Sequence, residues 1–183
     1  RVIGFADLVS FTTLVRRMSE RQLAVLVQRF ERLASDVVTT HGGRVIKTVG
    51  DEVLFIHTDP AAAAAIALDL VEAMSEDDVL PEVRVGMAWG SVVSRLGDVF
   101  GVTVNRASRL TAVTPSGRVF VDDELARRLG TVSGFIVRPQ RRRSLRGIGL
   151  VTPGELHRPA AGRRGASVEE QAGSSRAGYD PQS

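Results

Sequence analysis

The stretch KTVGDEVLF, residues 47–55, reads as two short apolar strands joined by a tight turn. An aspartate such as Asp51 is ordinary in a turn, because its side chain can hydrogen-bond to the local backbone. Lys47 is the sole lysine of the chain, although lysine and arginine together number 24. Lysine carries a flexible point charge and arginine a planar fork, so the two differ as binding groups. The hairpin is therefore either a plain turn or part of a site.

The segments around the hairpin predict an α+β fold with a ferredoxin-like, split βαβ sheet and helices packed on it. The capping-box sequence SERQ, residues 19–22, predicts the start of one helix, and Pro60 after Asp59 predicts the start of another. The predicted elements of this unit are strands at 2–8, 44–49, 52–57 and 83–90, with helices at 19–41 and 59–74.

The second half of the chain predicts shorter elements. Residues 92–96 are predicted to form a hairpin with the strand at 83–90 or to continue it as a bent strand. The remaining predictions are helices at 102–113 and 123–129 and strands at 118–121, 135–137, 144–145 and 155–157.

Composition favours one globular domain at 1–157 followed by a disordered C-terminal tail at 158–183. Of the 183 residues, 43% are hydrophobic and 25% charged, while glycine, alanine, serine and proline dominate the tail. The chain lacks cysteine and any apolar run of about 18 residues, so we predict no disulfide, no membrane segment and a cytoplasmic location. Because the first residue already lies in a strand, we expect an upstream regulatory domain in a longer protein.

The basic residues concentrate in RPQRRRSLR, residues 138–146, although the formal net charge is only +3. No aromatic residues that could stack on bases are interleaved with these arginines. We therefore predict a solvated surface and no nucleic-acid partner. An arginine-rich nucleic-acid binder is the alternative, and it would show steeply salt-dependent binding.

Two aspartates are candidates for a metal site. Asp7 ends the first strand and Asp51 lies at the tip of the hairpin, and these two tips are neighbours in a split βαβ sheet. Carboxylates without histidine or cysteine suit Mg²⁺ or Mn²⁺. The backbone N–H groups of the loop after Asp7, at Phe11 and Thr12, are candidates to cradle a triphosphate. Alone, each aspartate is more typical of a cap or turn than of a metal ligand, and the pair is equally compatible with either interpretation.

A second group of candidates lies in GDVFGVTVNRASR, residues 97–109. Asn105 and Arg109 are four residues apart on a predicted helix, so they share one face and can meet around one ligand. A plain surface pair is the alternative interpretation. Arg106 is predicted to point to solvent, and Asp98 is equally compatible with a turn. No P-loop, dinucleotide-binding or G-x-S-x-G motif is present.

Together, FADLVSFT (residues 5–12), KTVGDEVLF and GDVFGVTVNRASR resemble the catalytic domain of class III adenylyl and guanylyl cyclases over residues 1–157. By this resemblance Asp7 and Asp51 bind metal, and Leu8 lends a backbone carbonyl. Lys47 and Asp98 would recognise the purine, and a lysine donor with an aspartate acceptor fits adenine, whereas guanylyl members typically carry glutamate and cysteine.

The resemblance implies roles for the later residues as well. Asn105 and Arg109 would orient the ribose and stabilise the pentavalent transition state, and Arg146 would bind phosphate. Two positions depart from the family pattern: Ser10 stands where many members have glycine, and Ser91 stands where animal enzymes have a phosphate-binding arginine.

The implied activity is conversion of ATP to 3′,5′-cyclic AMP and pyrophosphate, with two Mg²⁺ or Mn²⁺ ions per active site. The implied assembly is a head-to-tail homodimer in which the metal aspartates of one protomer face Lys47, Asp98, Asn105 and Arg109 of the other. Guanylyl cyclase activity and a non-catalytic nucleotide-binding or dimerisation module are the alternatives.

Overall fold

A computed structural model describes residues 1–159 of the chain. Its helices are α1 (Phe11–Val15), α2 (Glu20–Thr40), α3 (Pro60–Ser75), α4 (Val102–Val113) and α5 (Asp123–Leu129). Its strands are β1 (Val2–Leu8), β2 (Arg44–Val49), β3 (Glu52–His57), β4 (Val83–Trp89), β5 (Val93–Arg95), β6 (Asp98–Phe100), β7 (Val119–Val121), β8 (Ile136–Pro139), β9 (Arg143–Leu145), β10 (Gly149–Val151) and β11 (Gly154–His157).

The main sheet has seven strands in the order β2-β3-β1-β4-β7-β11-β8. Strand β1 lies between β3 and β4 and is antiparallel to both, as the split βαβ arrangement requires. Strand β4 is parallel to β7, which extends the sheet beyond the ferredoxin-like unit. The predicted α+β sheet is confirmed, and the end of β1 lies beside the turn between β2 and β3.

Helices cover both faces of this sheet. One face packs against α2, α3 and α5 and holds the larger core, in which Phe30 and Phe55 are fully buried. Burying a side chain of this size stabilises the fold by about 1.5–3 kcal/mol. The opposite face packs against α4 and β6. Gly86 on β4 permits that approach, since a Cβ there would lie 2.3 Å from the Thr111 backbone nitrogen.

The predicted helix starts are confirmed in atomic detail. The Ser19 hydroxyl accepts a hydrogen bond from the Gln22 N–H, while the Gln22 side chain accepts one from the Ser19 N–H. The Asp59 carboxylate accepts hydrogen bonds from the first N–H groups of α3. These caps depend on residues within one helical turn, which explains why sequence alone located them.

The predicted pairing of residues 92–96 with the strand at 83–90 is wrong. Both edges of β4 are already occupied by β1 and β7, and β5 pairs instead with β6 in a separate hairpin. Leu96 and Gly97 form its two-residue turn with φ values of +51° and +82°, as a type I′ turn requires. Leucine is unusual in such a turn, so the sequence carries no hairpin signal there.

The last short strands also differ from the prediction. Strand β9 pairs with β10 in a second small hairpin, and β10 had no counterpart among the predicted elements. Within residues 1–159, no helix is both long and apolar enough to cross a membrane. The predicted tail lies outside the described residues except for its first two, of which Arg158 pairs with Asp69 and Glu72 on α3.

Candidate active site

The structure brings Asp7 and Asp51 together. The Leu8 N–H at the end of β1 donates to the Asp51 carbonyl at 3.0 Å, which fixes the turn between β2 and β3 against β1. Asp7 also lies opposite Glu52 in the ladder of β1 and β3. We call Asp7, Asp51 and Glu52 the carboxylate cluster.

The mutual repulsion and partial burial of its carboxylates make the carboxylate cluster favourable for a cation. Burial raises the pKa of Asp51, and the neighbouring Asp7 carboxylate raises it further. Burial likewise raises the pKa of Glu52, with added contributions from the charges of Asp7 and Asp51. In both cases the ionised form is disfavoured, and a bound cation would reverse that penalty.

Arg84 is a partner of the cluster that the sequence did not reveal. Its Nε and Nη2 atoms lie 2.8 and 2.6 Å from Oδ2 of Asp7. Asp7 and Arg84 face each other in the ladder of β1 and β4, a register that only the assembled sheet defines. The guanidinium therefore holds one oxygen of Asp7 and leaves the other available.

The donor set fits a hard divalent ion that keeps other oxygen ligands. Within residues 1–159, no three His, Cys, Asp or Glu side chains are arranged as a metal site on their own. Two aspartates would then supply part of the coordination, with water and substrate phosphate oxygens supplying the rest, as is usual for Mg²⁺. Their role as metal ligands, and that of the Leu8 carbonyl, stays a prediction.

Lys47 and Asp98, which we call the purine pair, contact each other directly. The Lys47 ammonium donates to Oδ2 of Asp98 at 2.7 Å. Hydrogen bonds from Lys47 and from the Val99 N–H hold the pKa of Asp98 below its usual value. The sequence places these residues 51 positions apart, and their contact links β2 to the β5–β6 hairpin.

The register of the β2–β3 hairpin directs Lys47 toward this partner. The pairs next to the turn run without interruption up to Lys47, which pairs with Leu54. Leu54 faces the core layer that includes Val99 of β6, and cross-strand partners share a face of the sheet. A β-bulge between Val45 and Lys47 shifts only the pairs farther from the turn. The sequence gives no sign of this extra residue.

Asn105 and Arg109, which we call the transition-state pair, lie one turn apart on the exposed side of α4. Helix α4 is fixed at its start, where the Thr103 hydroxyl donates to the Ser91 carbonyl at 2.8 Å. Gly90 allows this contact, since a Cβ there would lie 2.3 Å from the Thr103 hydroxyl. The predicted sharing of one helix face is confirmed.

The predicted phosphate-binding residues occupy exposed or partly exposed positions. Phe11 and Thr12 form the first turn of α1, which follows Ser10 in a left-handed conformation with φ of +61°. Glycine adopts such a φ more readily than serine does. Arg146 lies exposed in the turn between β9 and β10, and the structure does not bring it to the other candidate residues.

The prediction that Arg106 points to solvent is wrong. Its Nη1 atom lies 3.2 Å from Oδ2 of Asp122, whose side chain is only 1% exposed. Arg106 lies on the side of α4 toward Asp122, the residue between β7 and α5, whereas the transition-state pair lies on the exposed side. The sequence spacing alone could not show that Arg106 would meet the junction between β7 and α5.

The model of the adenylate and guanylate cyclase catalytic domain family matches residues 2–156. The chain belongs to this family. It is 46% identical to an adenylate cyclase of Glutamicibacter nicotianae over 85% of the chain and 39% of that protein. It is 44% identical to an adenylate cyclase of Streptomyces coelicolor over 87% of the chain and 49% of that protein. The chain thus spans less than half the length of both curated relatives.

Solved structures of the family share the fold. The adenylyl cyclase CyaB from P. aeruginosa matches with a TM-score of 0.76 and 20% identity, over 87% of this chain and 94% of that one. The catalytic core of a rhodopsin-guanylyl cyclase with converted specificity, in complex with ATPalphaS, matches with a TM-score of 0.79 and 20% identity, over 86% of this chain and 94% of that one. The class III cyclase fold inferred from three short motifs is confirmed.

Proposed function

We propose that this domain is an adenylyl cyclase that converts ATP to 3′,5′-cyclic AMP and pyrophosphate. The observation that carries the proposal is the purine pair. Lys47, on the sheet that also holds the carboxylate cluster, lies 2.7 Å from Asp98 of the separate β5–β6 hairpin. A lysine donor beside an aspartate acceptor complements the ring nitrogen and amino group of adenine. Guanine presents the opposite polarity at these positions, so the same pair disfavours GTP.

The reaction forms a bond between the ribose 3′-oxygen and the α-phosphorus and breaks the bond between the α-phosphorus and the bridging oxygen to the β-phosphate. The 3′-hydroxyl loses its proton to solvent, and pyrophosphate leaves with the electron pair of the broken bond. When bound, Mg²⁺ or Mn²⁺ ions would neutralise phosphate charge and make the 3′-hydroxyl more acidic. We propose two ions per site, held by Asp7, Asp51 and the Leu8 carbonyl.

The chain's own residues would bind and orient the nucleotide. Asn105 would hold the ribose, and Arg109 would donate to the α-phosphate oxygens, which gain charge in the transition state. The amides of Phe11 and Thr12 and the side chain of Arg146 would bind the triphosphate. Ser91 stands where animal enzymes have a phosphate-binding arginine, so Arg146 would have to supply positive charge to the triphosphate in its place.

We further propose a head-to-tail homodimer in which each active site is built from both chains. Lys47 and Asp51 are four residues apart, yet one must reach the base and the other the phosphates. The exposed apolar side chains around β5, β6 and the start of α4 support a second copy on this surface: Val93, Leu96, Phe100 and Val102. Leu96 is 97% exposed at the tip of the β5–β6 hairpin, so its side chain buries almost no apolar surface within a single chain.

An assay of the purified chain with ATP or GTP, each with Mg²⁺ or Mn²⁺, tests the proposal. We expect cyclic AMP and pyrophosphate in equal amounts from ATP and at most slight turnover of GTP. Preferred turnover of GTP would assign guanylyl cyclase activity instead. Tight nucleotide binding without either product would support a non-catalytic module and overturn the proposal.

A further inference from the structure

A buried carboxylate, Asp122, connects three elements, one of which is α4, the helix that carries the transition-state pair. Its Oδ1 atom accepts hydrogen bonds from the N–H groups of Leu125 at 3.0 Å and Trp89 at 3.2 Å. Its Oδ2 atom accepts from Nη1 of Arg106 at 3.2 Å. One side chain thus joins the end of β4, the start of α5 and the middle of α4.

The backbone of Asp122 strengthens this junction, since its N–H donates to the Met87 carbonyl at 3.0 Å. Asp122 is therefore held by the sheet and by α5 independently of Arg106. The arginine, in contrast, belongs to α4 and directly follows Asn105. Within the described residues, its Nε atom is buried without a hydrogen-bond partner, so Asp122 is its principal anchor, with Asp123 at 3.9 Å.

The cost of this arrangement indicates that it has a purpose beyond stability. Burial raises the pKa of Asp122, which means that the fold disfavours its ionised form. A buried ion pair is commonly no more stable than an apolar replacement of similar volume, and in some proteins such a pair specifies a geometry instead. The geometry specified here is the rotation of α4 about its axis.

We propose that Arg106 and Asp122 are positioning residues that set the rotation of α4 and thereby aim Asn105 and Arg109 at the nucleotide. The role rests on the proposed cyclase function. Arg106 and Arg109 are three residues apart on the helix, so a rotation that releases one displaces the other. The purine pair and the carboxylate cluster do not contact Asp122, so base recognition and metal binding stay intact when the ion pair is lost.

The test compares Arg106→Gln, Asp122→Asn and the double variant in the full chain. The Asp122→Asn side chain still accepts from Trp89 and Leu125 but loses its charge toward Arg106. We expect kcat to fall about 100-fold, as displacement of catalytic groups by about 1 Å produces, with KM for ATP within about twofold of the parent. The double variant should be no slower than the slower single variant, because both remove the same ion pair.

The matched control is Arg127→Gln, which removes an exposed arginine that pairs with Glu124 on the neighbouring helix α5. It should retain parental kcat. Arg106→Lys, which keeps the charge, should recover part of the loss. Parental kcat in folded Arg106→Gln, multiplicative losses in the double variant, or loss of the fold in both Arg106 variants would overturn the proposal.

Hydrogen exchange gives a readout that does not depend on turnover. In Asp122→Asn, backbone amides of α4 should exchange at least several-fold faster, while those of β1 keep the parental rate. If the parent chain makes no cyclic nucleotide yet α4 loosens in this way, the cyclase function fails and the positioning of α4 stands. If the parent is active and α4 exchanges as before, the positioning proposal alone is overturned.

Discussion

Asp7 at the end of β1 and Lys47 on β2 lie on the same sheet, yet their surroundings differ. The Asp7 side chain is 15% exposed and packed among other carboxylates, with Arg84 as its contacting cation. The Lys47 side chain is 44% exposed and already paired with an acid of its own. The carboxylate cluster therefore carries excess negative charge, whereas the charges of Lys47 and Asp98 in the purine pair balance each other. We propose that a cation binds at the carboxylate cluster and that a nucleobase binds at the purine pair.

This difference predicts that substitutions in the two regions change different properties of the enzyme, the rate in one case and the choice of base in the other. If the carboxylates bind metal as proposed, loss of one removes a ligand, and the effect on rate should be large. Loss of the purine pair leaves the chemistry in place and changes which base is accepted.

The largest effect is expected for Asp51→Ala. Metal stabilisation of the transition state amounts to several kcal/mol, and about 1.4 kcal/mol corresponds to tenfold in rate, so turnover should fall by about 1,000-fold or more. The fold should persist, because Asp51 lies in a turn with its backbone carbonyl still bonded to Leu8. Cyclic nucleotide assays with circular dichroism check this, with the exposed helical Asp36→Ala as control. A folded Asp51→Ala chain with near-parental turnover would remove Asp51 from the metal site.

The second prediction concerns the purine pair. Lys47→Glu combined with Asp98→Cys should reduce ATP turnover about 100-fold and raise the relative use of GTP, since each unpaired group at a base costs about 1–3 kcal/mol. Competition assays with both nucleotides measure the ratio. Arg44→Glu on the same strand is the matched control and should leave base choice unchanged. Parental ATP turnover in the double variant would show that these residues do not read the base.

Sequence alone anticipated the parts of the molecule that depend on neighbouring residues. The capping box at Ser19, the cap at Asp59 and the hairpin around Asp51 all follow from local hydrogen bonding and turn preference. The split βαβ pattern then placed the end of β1 beside that hairpin.

The missed features each depend on how distant segments meet. The bulge before Lys47 and the facing of Asp7 by Arg84 are set by strand register. The β5–β6 turn uses Leu96 where asparagine or glycine would have signalled it. The ion pair of Arg106 with Asp122 became visible only once the end of β7 was placed near α4. The roles of the candidate residues in binding and catalysis stay predictions.

The third prediction separates charge from structure in the carboxylate cluster. Arg84→Met removes its contacting cation, so the metal-free protein should melt about 2–4 °C lower, as a loss of about 1 kcal/mol produces. Mn²⁺ should raise the melting temperature more in Arg84→Met than in the parent, since the unscreened carboxylates attract the ion more strongly. Thermal melts across a Mn²⁺ titration measure both, with Arg118→Met as a control arginine paired elsewhere. An equal Mn²⁺ response in the parent and Arg84→Met would contradict the account.

The smallest effect is expected in the titration of Asp98. Its pKa is lowered by Lys47 and the Val99 N–H, so in the parent its carboxylate should stay ionised to lower pH than an ordinary aspartate. Any stability that this ion pair contributes is present above the unfolded-state pKa and is lost as pH falls through the lowered value. In Lys47→Ala the pKa should rise toward the ordinary value, measurable by carboxyl-carbon NMR. An unchanged titration would show that the pair does not form in solution.

The central claim is that each active site takes its metal ligands from one chain and its purine and transition-state pairs from the other. Asp51→Ala and the double variant Asn105→Ala with Arg109→Ala should each be inactive alone. Mixed under conditions where subunit exchange is verified, they form heterodimers with one ruined site and one site made wholly of parental groups. The account predicts that cyclic AMP production reappears in the mixture. A mixture that stays inactive although heterodimers are present would contradict it.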